Sequence, residues 1–562
     1  MKQNSKIFEY ELELNMKKLP QIGYLSVKPI NVIMLALGFM TAQNSALAGE
    51  RESLEQLRST TVNLVNLLVQ EGVLSKDKAG ALLKQAEQDA VKAKEKDATA
   101  TPASTADSVD AAIDQKMVHV QYVPEIVKKQ MKQEIKDEVM TTLNYKAGER
   151  LGLPAWIDRL TWEGSLRLRA EADKFPEGNP TPFDFNAANN TKLNNTTEDR
   201  NRLRLRAQLG VKADVNDWMT AGIRMTTGNL DDPISPNQTQ EAASGKYTIG
   251  LDRAYMNAKI KPWLNVVGGR FANPWFSTDL LWDPDLAFDG VAASFTPKLN
   301  DQWSGFATVG AFPVDEIEKS STNQSKSKWM YGAQAGINWN FDRKSSAKLG
   351  VALYDFQNVE GVSNDLNVGP FAPFNATVPV FRTKGNSTFD INGGNIPGGE
   401  LYGLSSKFRE LNITGQIDLA NFDPVHIILT GDYVKNIGFD KEEIARRTGQ
   451  PSPDEQTSAY QVKVAVGMLD TYQAGEWQAF AAYKRLEADS VLDSFTDSDF
   501  YLGGTNAKGW LLGASYGIDK NTWLTARWFS ADEISPRSLT LGGAPLSPLS
   551  IDVLMLDLNT RF

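Results

Sequence analysis

Residues 201–215, NRLRLRAQLGVKADV, decide the fold class. Leu203, Leu205, Ala207, Leu209, Val211, Ala213 and Val215 alternate with Arg202, Arg204, Arg206, Gln208, Gly210, Lys212 and Asp214. A period of two puts the two sets on opposite faces of an extended strand, one face apolar and the other charged. Such a strand wants lipid on one side and water on the other. The stretch before it repeats the pattern: Trp162, Leu166, Leu168, Ala170 and Ala172 stand opposite Glu163, Ser165, Arg167, Arg169, Glu171 and Asp173.

The alternation recurs, more weakly, near 219–228, 249–260, 264–271, 288–296, 303–312, 329–341, 347–356, 408–420, 425–435, 459–468, 476–488, 508–518, 522–530 and 550–562. The connections between segments are as telling. Those after every even-numbered strand are short, such as NDW, KPW, FDRKSS, NFDP and DKN. Those at 174–199, 229–248, 272–287, 313–328, 357–407, 436–458, 489–507 and 531–549 are long and polar or rich in Gly and Pro. Assembly through a membrane from one side produces this division into tight periplasmic turns and extended outer loops. The pattern predicts an all-β transmembrane antiparallel β-barrel of about 16 strands over residues 161–562, in the outer membrane of a Gram-negative bacterium.

Composition agrees with that architecture. Mean hydropathy is -0.35 and no apolar run is long enough to cross a bilayer as a helix, whereas a barrel needs only every second strand residue to be apolar. With no cysteine, disulfides, thiolate metal sites and cysteine nucleophiles are excluded. The two histidines, His119 and His426, are far apart and assemble neither a metal cluster nor a catalytic triad. His426, the sole histidine of the barrel, has no evident partner on its strand, so no catalytic residue, enzyme activity, metal or cofactor is expected. A net charge of -10 argues against nucleic acid as a partner.

The region before the barrel divides into four. Residues 1–48 read as a signal peptide, with apolar INVIMLALGFM behind Lys17, Lys18 and Lys28 and the small-residue pattern Ala46-Leu47-Ala48. The lysine pair after Met16 makes Met16 a candidate start. Residues 49–96 form a helical, coiled-coil segment around Leu54, Leu57, Leu64 and Leu68, and 97–112 a flexible linker. Residues 113–160 carry a further helix leading into the barrel, with Val127, Met131, Ile135 and Val139 on one face. These helices are expected in the periplasm.

Aromatic residues gather at strand ends, among them Trp162, Trp218, Trp263, Trp303, Trp339 and Trp523, at the depth of lipid headgroups. The last strand, IDVLMLDLNTRF, sets Leu554, Leu556, Leu558 and Phe562 on one face and ends on the aromatic residue. That pattern resembles the signal read by the barrel-assembly machinery.

Together with DRNRLRLRAQLGVKADVND, LDRAYMNAKI, GRFANPWF, LLWDPDLAFDGVAASF and LDLNTRF, these features give the chain a resemblance to the putative porins of Gram-negative outer membranes, over roughly 160–562. The helical preface departs from general diffusion porins, which begin almost at once with strand one. The resemblance implies a water-filled pore for small hydrophilic solutes, with a long loop folded inward. The loop at 272–287, holding Asp279, Asp283 and Asp285, is the candidate for the constriction.

If the apolar positions meet lipid, a basic wall of Arg167, Arg169, Arg202, Arg204, Arg206, Lys212, Arg224, Arg253, Lys259 and Arg270 lines the lumen, because an Arg or Lys facing mid-depth lipid costs about 2–4 kcal/mol. Glu410, Asp418, Asp432 and Asp557 on later strands would face it across the pore. The expected function is passive diffusion with a modest anion preference, although the arginines also suit a ladder of ion pairs that stiffens the wall. The alternative function is an adhesin or envelope-anchoring barrel using loop 357–407 and the periplasmic helices. Expected partners are outer-membrane lipid, lipopolysaccharide, the assembly machinery and solutes, with a homo-trimer as the candidate assembly.

Overall fold

The computed structural model describes residues 156–562 apart from 242, 343, 365–371, 395–398 and 541–542. The expected signal peptide, coiled coil and linker, and the helical lead-in up to residue 155, lie outside the described residues. A short 3-10 turn, Ile157–Arg159, leads into the first strand.

Sixteen antiparallel strands close into a barrel. They are β1 Leu160–Lys174, β2 Arg200–Asn216, β3 Met219–Thr227, β4 Ile249–Lys261, β5 Leu264–Ala272, β6 Ala287–Phe295, β7 Trp303–Asp315 and β8 Lys328–Asn340. The second half comprises β9 Ser346–Gln357, β10 Arg409–Phe422, β11 Val425–Asn436, β12 Ser458–Gly467, β13 Trp477–Leu486, β14 Ala507–Asp519, β15 Thr522–Glu533 and β16 Ser550–Arg561. Each strand pairs with its neighbours in sequence, and β1 pairs with both β2 and β16. Closure removes every strand edge, the requirement that lipid places on a sheet. The long connections are L1 175–199, L2 228–248, L3 273–286, L4 316–327, L5 358–408, L6 437–457, L7 487–506 and L8 534–549.

The period of two becomes two environments. On β1 and β2 the outward Leu203 is 57% exposed while the inward Arg169 is 1% exposed. Leu554, Leu556 and Leu558 of β16 are exposed on the outer face, whereas Val553, Met555 and Asp557 between them are buried in the lumen. Short polar side chains make the tight turns. Asn216 Oδ1 accepts the N–H groups of Trp218 and Met219, Asn300 Oδ1 those of Gln302 and Trp303, and Asp342 Oδ1 those of Lys344 and Ser345. An Asx side chain that bonds backbone two or three residues on mimics part of a turn. Beside these turns the rings of Trp303 and Trp339 stack at 5.2 Å.

The seam carries the terminal residue. The Phe562 N–H donates to the Gly164 carbonyl at 3.0 Å, and Gly164 N–H returns the bond at 2.8 Å. A Cβ on Gly164 would lie 2.2 Å from the Phe562 ring, so only glycine leaves that ring its present place.

Two further glycines shape the approach to L3. Gly269 and Gly290 are cross-strand partners on β5 and β6, with φ of +111° and +142°. A Cβ at either would lie 2.3 Å from a backbone oxygen, that of Ala254 or of Ala311. Strain and clash act together there. Gly290→Ala is expected to destabilise the barrel by about 1–3 kcal/mol, seen as a lower temperature for losing the compact band on a heat-modifiability gel. A variant melting at the parent temperature would contradict this.

Candidate functional site

The lumen has walls of different chemistry. On β1 and β2 the inward rows set Arg167 directly opposite Arg206, Arg169 opposite Arg204, and Glu171 opposite Arg202. On β5 to β9 the inward positions nearest the long loops are mostly aromatic or apolar, with Phe271, Phe288, Phe312, Met330, Tyr354 and Phe356 all buried. On β10 to β13 they are polar, including Glu410, Asn412, Thr414, Asp432, Gln461 and Lys484.

L3 crosses between these walls. Leu280, Leu281 and Trp282 are buried against the aromatic side, where Trp282 meets Tyr354 at 5.2 Å and Phe288 at 5.1 Å, edge to face in both cases. Gln334 on β8 clasps the backbone of Phe276, donating to its carbonyl and accepting its N–H, both at 2.8 Å. Thr278 donates through its N–H and its hydroxyl to Asp432 on β11. At the other end Asp285 reaches Arg206 at 2.9 Å and Arg167 at 3.7 Å. Asp279, Asp283 and Asp285 thus take three different surroundings: Lys484 at 2.9 Å, the backbone N–H groups of Asp285 and Ser498, and the arginines.

L7 also folds inward, which the sequence reading did not anticipate. Its Thr496 hydroxyl donates to the Leu280 carbonyl of L3 at 2.8 Å, and Asp283 N–H donates to the Phe495 carbonyl. Asp499 of L7 accepts from Arg169 and from Arg527 on β15, each at 2.9 Å. Asp557 on β16 takes the remaining faces of the same two arginines, at 2.7 Å and 2.9 Å. Lys484 on β13 joins the loops, bonding both Asp279 of L3 and Asp497 of L7. The signal that pointed to L7 was present, since LDSFTDSDF spaces three carboxylates as L3 does.

The other expected wall residues are distributed as follows. Arg202 bonds Glu171 and lies 3.5 Å from Asp173, while Arg204 bonds Glu171 at 3.2 Å. Arg224 bonds Asp252 and Arg253 lies 3.7 Å from it. Lys212 pairs with Glu163 near the turn end, and Lys259 is exposed close to the same end. Arg270 differs from the expectation: it stands on the face of β5 opposite the buried Phe271 and pairs with Asp289 at 2.6 Å. Its place near the outer end of the strand explains the tolerance, because the cost of a cation on that face falls towards the membrane surface. Glu410 and Asp432 differ too. They do not face the arginines across open water; they hold the backbone of Leu492 and Thr278, because loops fill the space between the walls. His426, read as partnerless, has Asp418 on the adjacent strand 2.6 Å from Nδ1.

A model of the family described as "Putative porin" matches residues 58–562. The chain belongs to that family. It is accordingly an outer-membrane channel. No curated protein matches this porin. Solved structures similar to it include OprB of Pseudomonas putida, 14% identical with a TM-score of 0.41, covering 74% of this chain and 97% of that one. OmpT of Vibrio cholerae in its trimer form is 10% identical with a TM-score of 0.38, covering 72% and 99%. The outer-membrane channel DcaP of Acinetobacter baumannii is 11% identical with a TM-score of 0.35, covering 72% and 97%.

The electrostatics of the two loops define what acid should do to this porin. Burial works to raise the Asp499 carboxyl, but Arg169, Arg527 and Arg167 outweigh it and hold the group well below the ordinary carboxylate range. Burial likewise opposes the ionisation of Asp279, yet Lys484 and Lys463 bring it down to about 2. A carboxyl depressed in the folded state contributes stability in full above its unfolded value of about 4, and loses it as pH falls through the folded value. Docking of L3 and L7 should therefore persist from pH 7 to about 5 and weaken progressively below about 4, read as rising conductance and current noise in a planar bilayer; a trace unchanged to pH 2 would contradict it.

Lys484 gives a second test. Lys484→Met leaves Asp279 and Asp497 without their cation, a loss of about 3–5 kcal/mol for a broken buried pair. The melting temperature of the compact gel band should fall, and Lys484→Met combined with Asp279→Asn and Asp497→Asn should recover most of it. Equal melting of single and triple variants would show that the pairing contributes nothing.

Proposed function

We propose that the channel passes small hydrophilic solutes and ions by passive diffusion, with L3 and L7 forming the constriction and a modest preference for anions. The observation that carries the reading is the charge balance around β1 and β2. Arg167, Arg169, Arg202, Arg204, Arg206 and Arg527 meet Glu171, Asp173, Asp285, Asp499 and Asp557, six cations against five carboxylates. Arg224 and Arg253 share the single carboxylate of Asp252. Each group keeps one positive charge in excess.

Asp283 does not cancel that excess. Burial, reinforced by Asp285 and Asp497, pushes its carboxyl well above the ordinary range, towards the neutral form. Charge fixed in a narrow pore with low-dielectric walls acts on passing ions more strongly than the same charge on an open surface. Lipid and lipopolysaccharide would cover the outer face, the assembly machinery would read the strand ending at Phe562, and a homo-trimer is the proposed assembly.

The purified protein in a planar bilayer under a KCl gradient should show stable channels whose zero-current potential has the anionic sign. A cationic sign would refute the preference, and absence of conductance would sink the channel reading.

A further inference from the structure

The arginine cluster keeps a net positive charge, but it has no cation left open to a solute. Each of its guanidinium groups is already engaged by a carboxylate of the wall or of a loop. Two lysines outside that cluster are different. Lys348 lies on β9 and Lys463 on β12, both on inward positions and half-buried. Among the described residues neither forms an ion pair. Asp418, one inward step along β10 from the partner of Lys348, is taken by His426, and the two acids whose charge reaches Lys463, Asp279 and Asp497, are both held by Lys484.

The strand register brings the two together. Lys348 pairs across with Gln416 on β10, Gln416 with Thr430 on β11, and Thr430 with Lys463 on β12, one continuous row on one face. Three strand spacings separate the ends, roughly 14 Å along the wall. The row lies one inward step nearer the short-turn end than Asp432 and Lys484, the residues that hold L3, and so directly beneath that loop. Aromatic rings support both cations. Lys348 Nζ stands 4.2 Å from the Phe276 ring centroid and 4.6 Å from that of Phe306, and Lys463 Nζ 4.7 Å from that of Phe480. A ring shields one side of an ammonium without neutralising it. Between the lysines, the side chains of Gln416 and Thr430 bond no other described residue, which leaves an amide and a hydroxyl as neutral donors.

We propose that Lys348, Gln416, Thr430 and Lys463 form a binding shelf for small oxyanions, carboxylate or phosphate, on the periplasmic side of L3, and that this shelf sets the anion preference. The inference rests on the channel reading above and assigns its selectivity to particular side chains. The arginines hold the loops; the lysines meet the solute. Two weakly held cations flanked by neutral donors suit conduction, which needs binding strong enough to admit an ion and weak enough to release it.

The test compares four forms of the full chain in planar bilayers under a KCl gradient: the parent, Lys348→Gln with Lys463→Gln, Lys348→Arg with Lys463→Arg, and Arg206→Gln. The glutamine pair should lose the anionic zero-current potential, collapsing it to zero or reversing it, while the arginine pair keeps it. Sodium acetate or inorganic phosphate added on the periplasmic side should reduce the parent current and leave that of the glutamine pair unaffected. Response to one anion alone identifies which of the two groups the shelf takes. A glutamine pair with the parent potential, beside an Arg206→Gln variant that has lost it, would overturn the proposal in favour of the arginine cluster. If the glutamine pair does not assemble, Lys348→Gln and Lys463→Gln singly should each give an intermediate potential, and parent values in both would overturn it. A parent without conductance would fail the channel reading, a result distinct from all of these.

Discussion

Arg167 faces Arg206, and Arg169 faces Arg204, directly across the first two strands. Two like charges roughly 5 Å apart repel by about 3 kcal/mol at an effective dielectric constant of 20. Neither can turn outward, since lipid is the worse environment. The interior must therefore supply counter-charge, and much of it is an answer to that demand. Asp557 comes from the closing strand, Asp285 from L3, Asp499 from L7 and Glu171 from the wall itself. The loops are drawn in by charge.

Charge alone would leave them mobile, and the opposite wall supplies what holds them. L3 has an apolar end and a charged end. Leu280 to Trp282 bury themselves against rings on β6 and β9, while Asp285 reaches back to β1 and β2. Between the two ends, Gln334 and Asp432 fix the backbone and Lys484 ties L3 to L7. A hydrophobic contact, a backbone clasp and an ion pair thus act on one short segment, so removing any one of them leaves the others to limit its movement.

The fold was legible because a strand between lipid and water must alternate, and the alternation survives in residues such as 201–215. Strand ends, and the division into long loops and short turns, followed from the same signal. The inner contacts were less legible. Periodicity tells which way a side chain points but not what stands opposite once the sheet closes, so Glu410 and Asp432 were assigned to the right surface and the wrong partners. L7 repeats the carboxylate spacing of L3, but its role depends on Arg527 and Lys484, which lie on strands where one cation looks ordinary. Lys348 and Lys463 were invisible as a pair, because they are separated by more than a hundred residues and only register aligns them. The aromatic wall was hidden for a related reason: Phe271, Phe288 and Phe312 are each unremarkable in a strand.

Arg169 draws the two carboxylates it bonds most closely from residues 330 and 388 positions later in the chain. During synthesis and export its strand exists long before either of them. Until those segments arrive, Arg169 has only Glu171, 3.8 Å away on its own strand, to offset its charge. The pairs of Arg169 with Asp499 and Asp557 thus join the two ends of the barrel as firmly as the hydrogen bonds of the seam between β1 and β16.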